Sequence, residues 1–595
     1  MKKSIYWTLV AVAYALLLCY VYFVIDPRCY NIFQQPGFVL TSEFFSTHVV
    51  DPGGLAVYLS LFVEQFSMFR FWGALFLVIE LFLTSWLIVR VVKKLFNASD
   101  IASVIAWLMP VAISVVVWSD IKYPFALNMQ VLLLASVVNL WLFFVGKRIH
   151  PYLTLLFSVL LYHISGPVSL YVFVAVNVIV LAYERKKDNL LNTAISATVA
   201  LVYPFIMYRF VLPVSFEHAL YAIIPQQQKF ICFGTAPRMA FMLLALPVSM
   251  LICIVFQKLS LKRQLVCSGL VILALICGVA MFVKKYDDKT ERLAFRFAVA
   301  AYEHDWNYIL NHYREGQYYE RHINFYYNLA LAETGQMGDK MFSYPQFMGM
   351  EGLFLDEPLA GIECYPTSSL YREIGLITNS LHFAFEAHMS FLESHYVMRM
   401  IIDDLIILKD YVNARKYLEK YSNEMFSKSF VADRKDYMDG IRYTKLDADE
   451  VDLIRKNHPK YDFYLKNVQN DMLYMLDVNK DNYLSNQYLA ASALLNNDLN
   501  LFVDLLITGT CKVDPNNMPR AYQEALVLYW STSENVKEKS YDFKVQPFFN
   551  DSFKKFSDIM SSSEPDKYRL VAQNFSGSYW KYYVFDNPVN KQTKK

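Results

Sequence analysis

The feature that most limits what this chain can fold into is a change of character near Lys284. Before it lie long apolar runs: Ile5 to Ile25, Phe71 to Val92, Ile101 to Trp118, Phe125 to Val145, Leu190 to Val211, Met239 to Gln257 and Leu265 to Val283. After it, apolar residues recur at helical spacing among charged ones. A bilayer core takes about 20 apolar residues as helix, so these runs read as membrane spans. The expected fold is all-α, a polytopic bundle over residues 1–284 followed by a helical domain over 285–595.

A further apolar region, Tyr152 to Tyr183, is too long for one span and short for two. His163, Ser165, Gly166 and Pro167 stand at its midpoint, where Gly and Pro favour a tight hairpin of two short helices. That gives about nine spans. Basic clusters test the count: Lys2 and Lys3; Arg90, Lys93 and Lys94; Lys147 and Arg148; Arg185, Lys186 and Lys187; Lys258, Lys262 and Arg263. All fall on one side only if the hairpin counts twice, and the basic side is cytoplasmic. The expectation is a multi-pass bacterial inner-membrane protein with a cytoplasmic N-terminus and a periplasmic C-terminal domain. Lys284 and Lys285 run against it, beside Asp287 and Asp288.

The first outer loop, residues 26–52, carries Asp26, Arg28, Glu43, His48 and Asp51, and leads into a segment, 55–69, expected to lie along the membrane surface. Arg70, Arg209 and Arg238 fall at the same face. Asp26, Glu43, Asp51 and His48 are the candidate catalytic set, and the three arginines are candidate ligands for a lipid-linked phosphate. A carboxylate there would take a proton from an attacking hydroxyl while guanidiniums neutralise the leaving group. The competing reading makes them boundary charges touching lipid headgroups. Glu80, near the middle of its span, is an intramembrane polar candidate, either proton-coupled or a neutral acid bonded to a neighbouring helix.

Beyond Glu291 helical segments recur with brief polar breaks such as Lys409-Asp410 and Asn497-Asp498, a pattern resembling tetratricopeptide-like helix pairs in a superhelical domain. Residues 335–368 interrupt it as an insertion. Zinc spacing, a P-loop, a dinucleotide fingerprint and a serine-hydrolase elbow are absent from the sequence, and the cofactor is unknown. Basic and acidic residues nearly balance, 56 against 54, which removes a global case for nucleic-acid binding. Cys29 with Cys232, and Cys364 with Cys511, are pairings an oxidising compartment would permit.

The stretches Asp51-Pro52-Gly53-Gly54-Leu55 with Tyr58-Leu59, Asn328-Leu329-Ala330-Leu331-Ala332, Gly338-Asp339-Lys340-Met341-Phe342 with Tyr344-Pro345-Gln346, and Pro519-Arg520-Ala521-Tyr522-Gln523-Glu524-Ala525 resemble an uncharacterised family of polytopic membrane proteins of Bacteroidota-type bacteria. That resemblance implies an inner-membrane location and a tetratricopeptide-like outer domain. In plan, the membrane half is similar to integral-membrane polyprenyl-phosphate-sugar glycosyltransferases, which implies an acidic role for Asp26 or Glu43 in the first external loop. Three functions follow. The first is a glycan- or lipid-carrier-processing protein using a lipid-linked sugar. The second is an envelope assembly scaffold binding envelope proteins through its C-terminal domain, and the third a transporter. Membrane lipids are partners in each.

Overall fold

The computed structural model describes residues 3–34, 37–144, 150–222, 237–315, 320–355, 361–390, 394–441, 444–459 and 468–588. The chain divides into two compact units, Met1–Asp288 with Asn423–Phe426, and Lys289–Ser422 with Ser427–Lys595. Among the described residues the secondary structure is helical, apart from one isolated bridge.

In the first unit the helices are α1 (Lys3–Tyr20), α2 (Arg28–Gln34), α3 (Ser42–Val49), α4 (Gly54–Glu64), α5 (Arg70–Phe96), α6 (Asp100–Trp118), α7 (Ala126–Phe143), α8 (His150–Ser165), α9 (Pro167–Glu184), α10 (Lys187–Ile206), α11 (Phe216–Tyr221), α12 (Ala245–Gln257) and α13 (Leu261–Tyr286). Among the described residues, eight helical stretches are long and apolar enough to cross a membrane. The protein is a polytopic all-helical membrane protein. Helix α8, the first arm of the expected hairpin, has 16 residues and is not one of the eight, so among the described residues the ninth expected span is not matched by a helix of spanning length.

Local chemistry sets the boundaries. Helix α5 ends with Lys93 and Lys94 facing the negative end of its dipole, and Asn97 then turns left-handed at φ 46°. Ser99 caps α6 by accepting from the Ala102 amide. The expected break after His163 falls at Gly166 (φ 94°), with Pro167 opening α9. Helix α4 buries Ala56, Val57, Ser60, Leu61 and Glu64 and packs on α7 and α8. Helix α13 buries none of its most apolar window within the chain.

The second unit is a sequence of helices packed on their neighbours. Gly361–Ile374 lies on Ile377–Met389, which lies on His395–Ile407, which lies on Tyr411–Ser422. Val468–Val478, Tyr483–Leu495 and Leu499–Ile507 repeat the arrangement. The polar breaks are left-handed turns at Lys409 and Asn497. Side-chain caps from Asp305, Ser394, Asn482, Asp498 and Asp566 start the following helices. This sheet-free stack is consistent with a tetratricopeptide-like superhelix. Of the expected insertion 335–368, residues 337–352 form short helical turns, while 361–368 already belong to the helix Gly361–Ile374; Gln346 is buried where it accepts from Asn324 (2.9 Å) and donates to Asn328 (3.0 Å) of Arg321–Glu333.

Candidate functional site

In the first unit, α1 runs on through a π-turn, Val21–Ile25, and delivers Asp26 with φ 50°. The Asp26 carboxylate is 3% exposed. It accepts from Arg28 Nε at 3.0 Å and Nη2 at 2.8 Å, and lies 3.3 Å from Arg70 Nε. Arg70 also donates to the Tyr22 carbonyl at 2.9 Å and covers the Tyr22 ring at 4.5 Å. The acid after the first span and the arginine opening the second therefore share one cluster, in which guanidiniums fill most acceptor positions of the carboxylate.

The other outer residues separate. Glu43 is exposed in the first turn of α3. His48 Nδ1 pairs with the Phe44 carbonyl at 2.8 Å, its ring 4.2 Å from that of Phe44. Asp51 is half-buried; burial pushes its carboxyl up, and His48 nearby opposes the shift. Arg209 is exposed on the π-turn Met207–Val211, 5.8 Å from the Phe210 ring centroid. Arg238 lies in a 3₁₀ helix, Pro237–Leu244; its side chain, like all of Lys229, Cys232, Lys147 and Arg148, lies outside the described residues.

Asp51 also starts a tight junction: its carbonyl accepts from Gly54 at 2.9 Å. The Gly53 amide reaches the carbonyls of Tyr162 (3.1 Å) and His163 (3.0 Å). A methyl group on Gly53 would stand 3.0 Å from the Gly166 backbone. The two glycines at the sequence's turn signals thus meet, an approach that side chains would prevent. Glu80 is 6% exposed, with Oε1 lacking a hydrogen-bond partner. Glu64 of α4 and Tyr123 are near enough for their charges to interact with it, and the Tyr123 hydroxyl donates to Asn128 at 2.9 Å.

In the second unit sequence reading missed a buried ionic network. Arg434 donates to Asp403 at 2.6 and 2.8 Å and to Asp433 at 2.5 Å. Arg372 lies 3.7 Å from Asp403 and 3.9 Å from Asp404, and Ser380 donates to Asp404 at 2.6 Å. Burial pushes the Asp404 carboxyl up to about 7, against the pull of Arg372. The available signal was Asp403-Asp404 inside an apolar helical stretch, Met398 to Leu408. Elsewhere in this unit a cleft of about 330 Å³ is lined by Tyr313, Arg314, Tyr344, Ser578, Lys581 and Tyr582; Lys581 is already paired with Asp586.

A family model matches residues 2–586, almost the entire chain. The chain belongs to DUF6057, a family of unknown function. No curated protein and no solved structure matches it. Among the described residues this DUF6057 protein gathers no group of three or more His, Cys, Asp or Glu side chains able to hold a metal ion. Cys364 and Cys511 are free thiols, Cys511 lying 3.0 Å from Asn486 Oδ1.

Proposed function

We propose that this protein is a membrane-anchored assembly scaffold of the cell envelope, its C-terminal helical domain offering protein-binding surface. The observation that carries the reading is the run of consecutively packed helices in the second unit, an architecture whose stacked neighbours build extended binding faces. The multi-pass bundle supplies the anchor. The basic clusters favour an inner-membrane orientation with the helical domain outside the cytoplasm. The test is purification of the full-length protein in native lipid after crosslinking. A complex of fixed stoichiometry, dissociated by substitutions on the helical domain, supports the scaffold; a protein that stays alone under all conditions sinks it. Accessibility of a C-terminal tag to an impermeant label checks the orientation.

A second reading draws on the meeting of Asp26 with Arg28 and Arg70. A lipid-linked phosphate would compete with Asp26 for those guanidiniums, as a carrier-processing enzyme requires. Glu43, His48, Asp51, Arg209 and Arg238 remain its candidate accessory residues. Sugar transfer from a polyprenyl-phosphate donor that persists in Asp26→Asn and Glu43→Gln would remove them from the chemistry.

A further inference from the structure

The cleft of about 330 Å³ in the second unit is assembled from separate stretches of chain. Tyr313 and Arg314 come from the turn after the helix Trp306–His312, Phe342 to Gln346 from the turns after Arg321–Glu333, and Ser576 to Asp586 from the last helical turns. Its volume falls at the lower end of the range for small-molecule sites.

The walls are fixed before a ligand arrives. Gln346 is held by hydrogen bonds with Asn324 (2.9 Å), Asn328 (3.0 and 3.1 Å) and the Met341 carbonyl (2.9 Å). Gly577 takes φ 77°, and a methyl group on it would stand 3.2 Å from Ser343 Cα, so glycine lets the two turns close on one another. Glu524 anchors the next turn by accepting from the Tyr579 amide at 2.6 Å. The Tyr582 hydroxyl donates to the Leu495 carbonyl at 2.7 Å.

Aromatic rings and polar groups share this lining. Tyr313 and Tyr344 line the cleft with ring centroids 5.6 Å apart, and Phe342 and Tyr582 line it 5.1 Å apart. Lys581 and Asp586, which also line it, form an ion pair that sets a donor beside an acceptor and cancels its own charge. Ser576 and Ser578 add hydroxyls. A lipid tail or apolar side chain would bury these groups without partners. An anion gains little from an ammonium that Asp586 already answers. A sugar meets both demands: the C–H groups of its ring face pack on aromatic rings, and its hydroxyls each donate and accept. Two neighbouring hydroxyls reach the Lys581 ammonium and the Asp586 carboxylate together, and a neutral ligand leaves the charge balance intact.

We propose that this cleft binds a mono- or disaccharide unit, its C–H face on the aromatic wall and adjacent hydroxyls on Lys581 and Asp586. This goes beyond the scaffold reading and stands or falls separately from it.

The test uses the full-length protein in lipid nanodiscs and the disaccharides cellobiose, lactose, mannobiose and chitobiose, followed by saturation-transfer NMR and titration. At least one is expected to bind at millimolar concentration or tighter, with saturation strongest on the protons of one ring face. Ser576→Trp, at an exposed position of the lining, fills the cleft and weakens that binding by at least about tenfold, with the melting temperature unchanged. Asp586→Asn keeps the shape but removes the charged acceptor, for a loss of about tenfold; it decides the matter if Ser576→Trp proves less stable. Arg415→Gln, exposed and outside the lining, leaves binding unchanged. Binding of none of the four sugars, binding retained in both cleft variants, or displacement of the sugar by inorganic phosphate or acetate would overturn the assignment. A protein complex of fixed stoichiometry without sugar binding leaves the scaffold standing and removes this site. Sugar binding by a protein that stays alone does the reverse.

Discussion

The two units bury polar groups by different means. In the first, the interior is largely neutral. Thr154 accepts from Trp141 at 2.9 Å and donates to Asn192 at 3.0 Å, which bonds His150 at 2.9 Å. Ser165 donates to the Gln130 carbonyl at 2.8 Å. Its fully paired buried charge is Asp26, beside two arginines. The second unit buries Arg372, Asp403, Asp404 and Arg434 together. There Arg455 also donates at 2.9 Å to the carbonyls of Ile406 and Ile407. A charge in hydrocarbon has no water to fall back on if its partner moves, so neutral hydrogen bonds are the safer way to join helices. In a water-facing stack, mixed burial lets charges pair while one edge remains hydrated.

Breaking an ion network should therefore cost more than breaking a neutral contact. Arg434→Ala leaves Asp403 and Asp404 with only Arg372, and a loss of about 3–5 kcal/mol is expected in chemical denaturation; a change below 1 kcal/mol would show that water enters the network. Gly53→Ala forces a side chain onto the Gly166 backbone at φ 78°, for a loss of about 1–3 kcal/mol, read as a lower melting temperature in detergent. Asp26→Asn keeps the shape but removes charge from the bonds to Arg28 and Arg70; about 1–2 kcal/mol is expected, and rescue by added anions would show that the arginines accept a substitute.

The comparison sharpens with pH. Burial, then the charges of Glu373 and Glu450, push Glu333 up to about 8 from 4.5. The folded state then holds the proton more tightly than the unfolded chain, so stability falls as pH rises from about 4.5 to 8. His395 is driven down to about 3 from 6.5 by burial and by Arg399, so its contribution is lost as pH falls through that interval. Melting curves of Glu333→Gln should flatten the alkaline limb, and those of His395→Asn the acid limb; unchanged slopes would relieve both groups of the role. The smallest effect belongs to Arg415→Gln. Arg415 and Asp439 are 50% and 57% exposed at 2.8 Å, and the change should be at most about 0.5 kcal/mol, vanishing in high salt.

Much of the fold was legible because hydrophobic periodicity and turn residues are local signals. The spans, the Gly166-Pro167 break and the helix pairs around Lys409 and Asn497 follow from neighbours in sequence. Of the candidate site, the sequence marked Asp26, Arg70 and Glu80 singly. Their company was hidden: Arg70 reaches Asp26 from 44 residues away, and Glu80 is buried with Oε1 lacking a hydrogen-bond partner.

By itself the sequence determined where helices form and which are apolar enough for lipid, because transfer free energy and backbone geometry act residue by residue. Only the tertiary structure decided which charges are answered and which are left waiting. Electrostatic energy depends on separations in space and on burial, and neither distance along the chain nor composition encodes them.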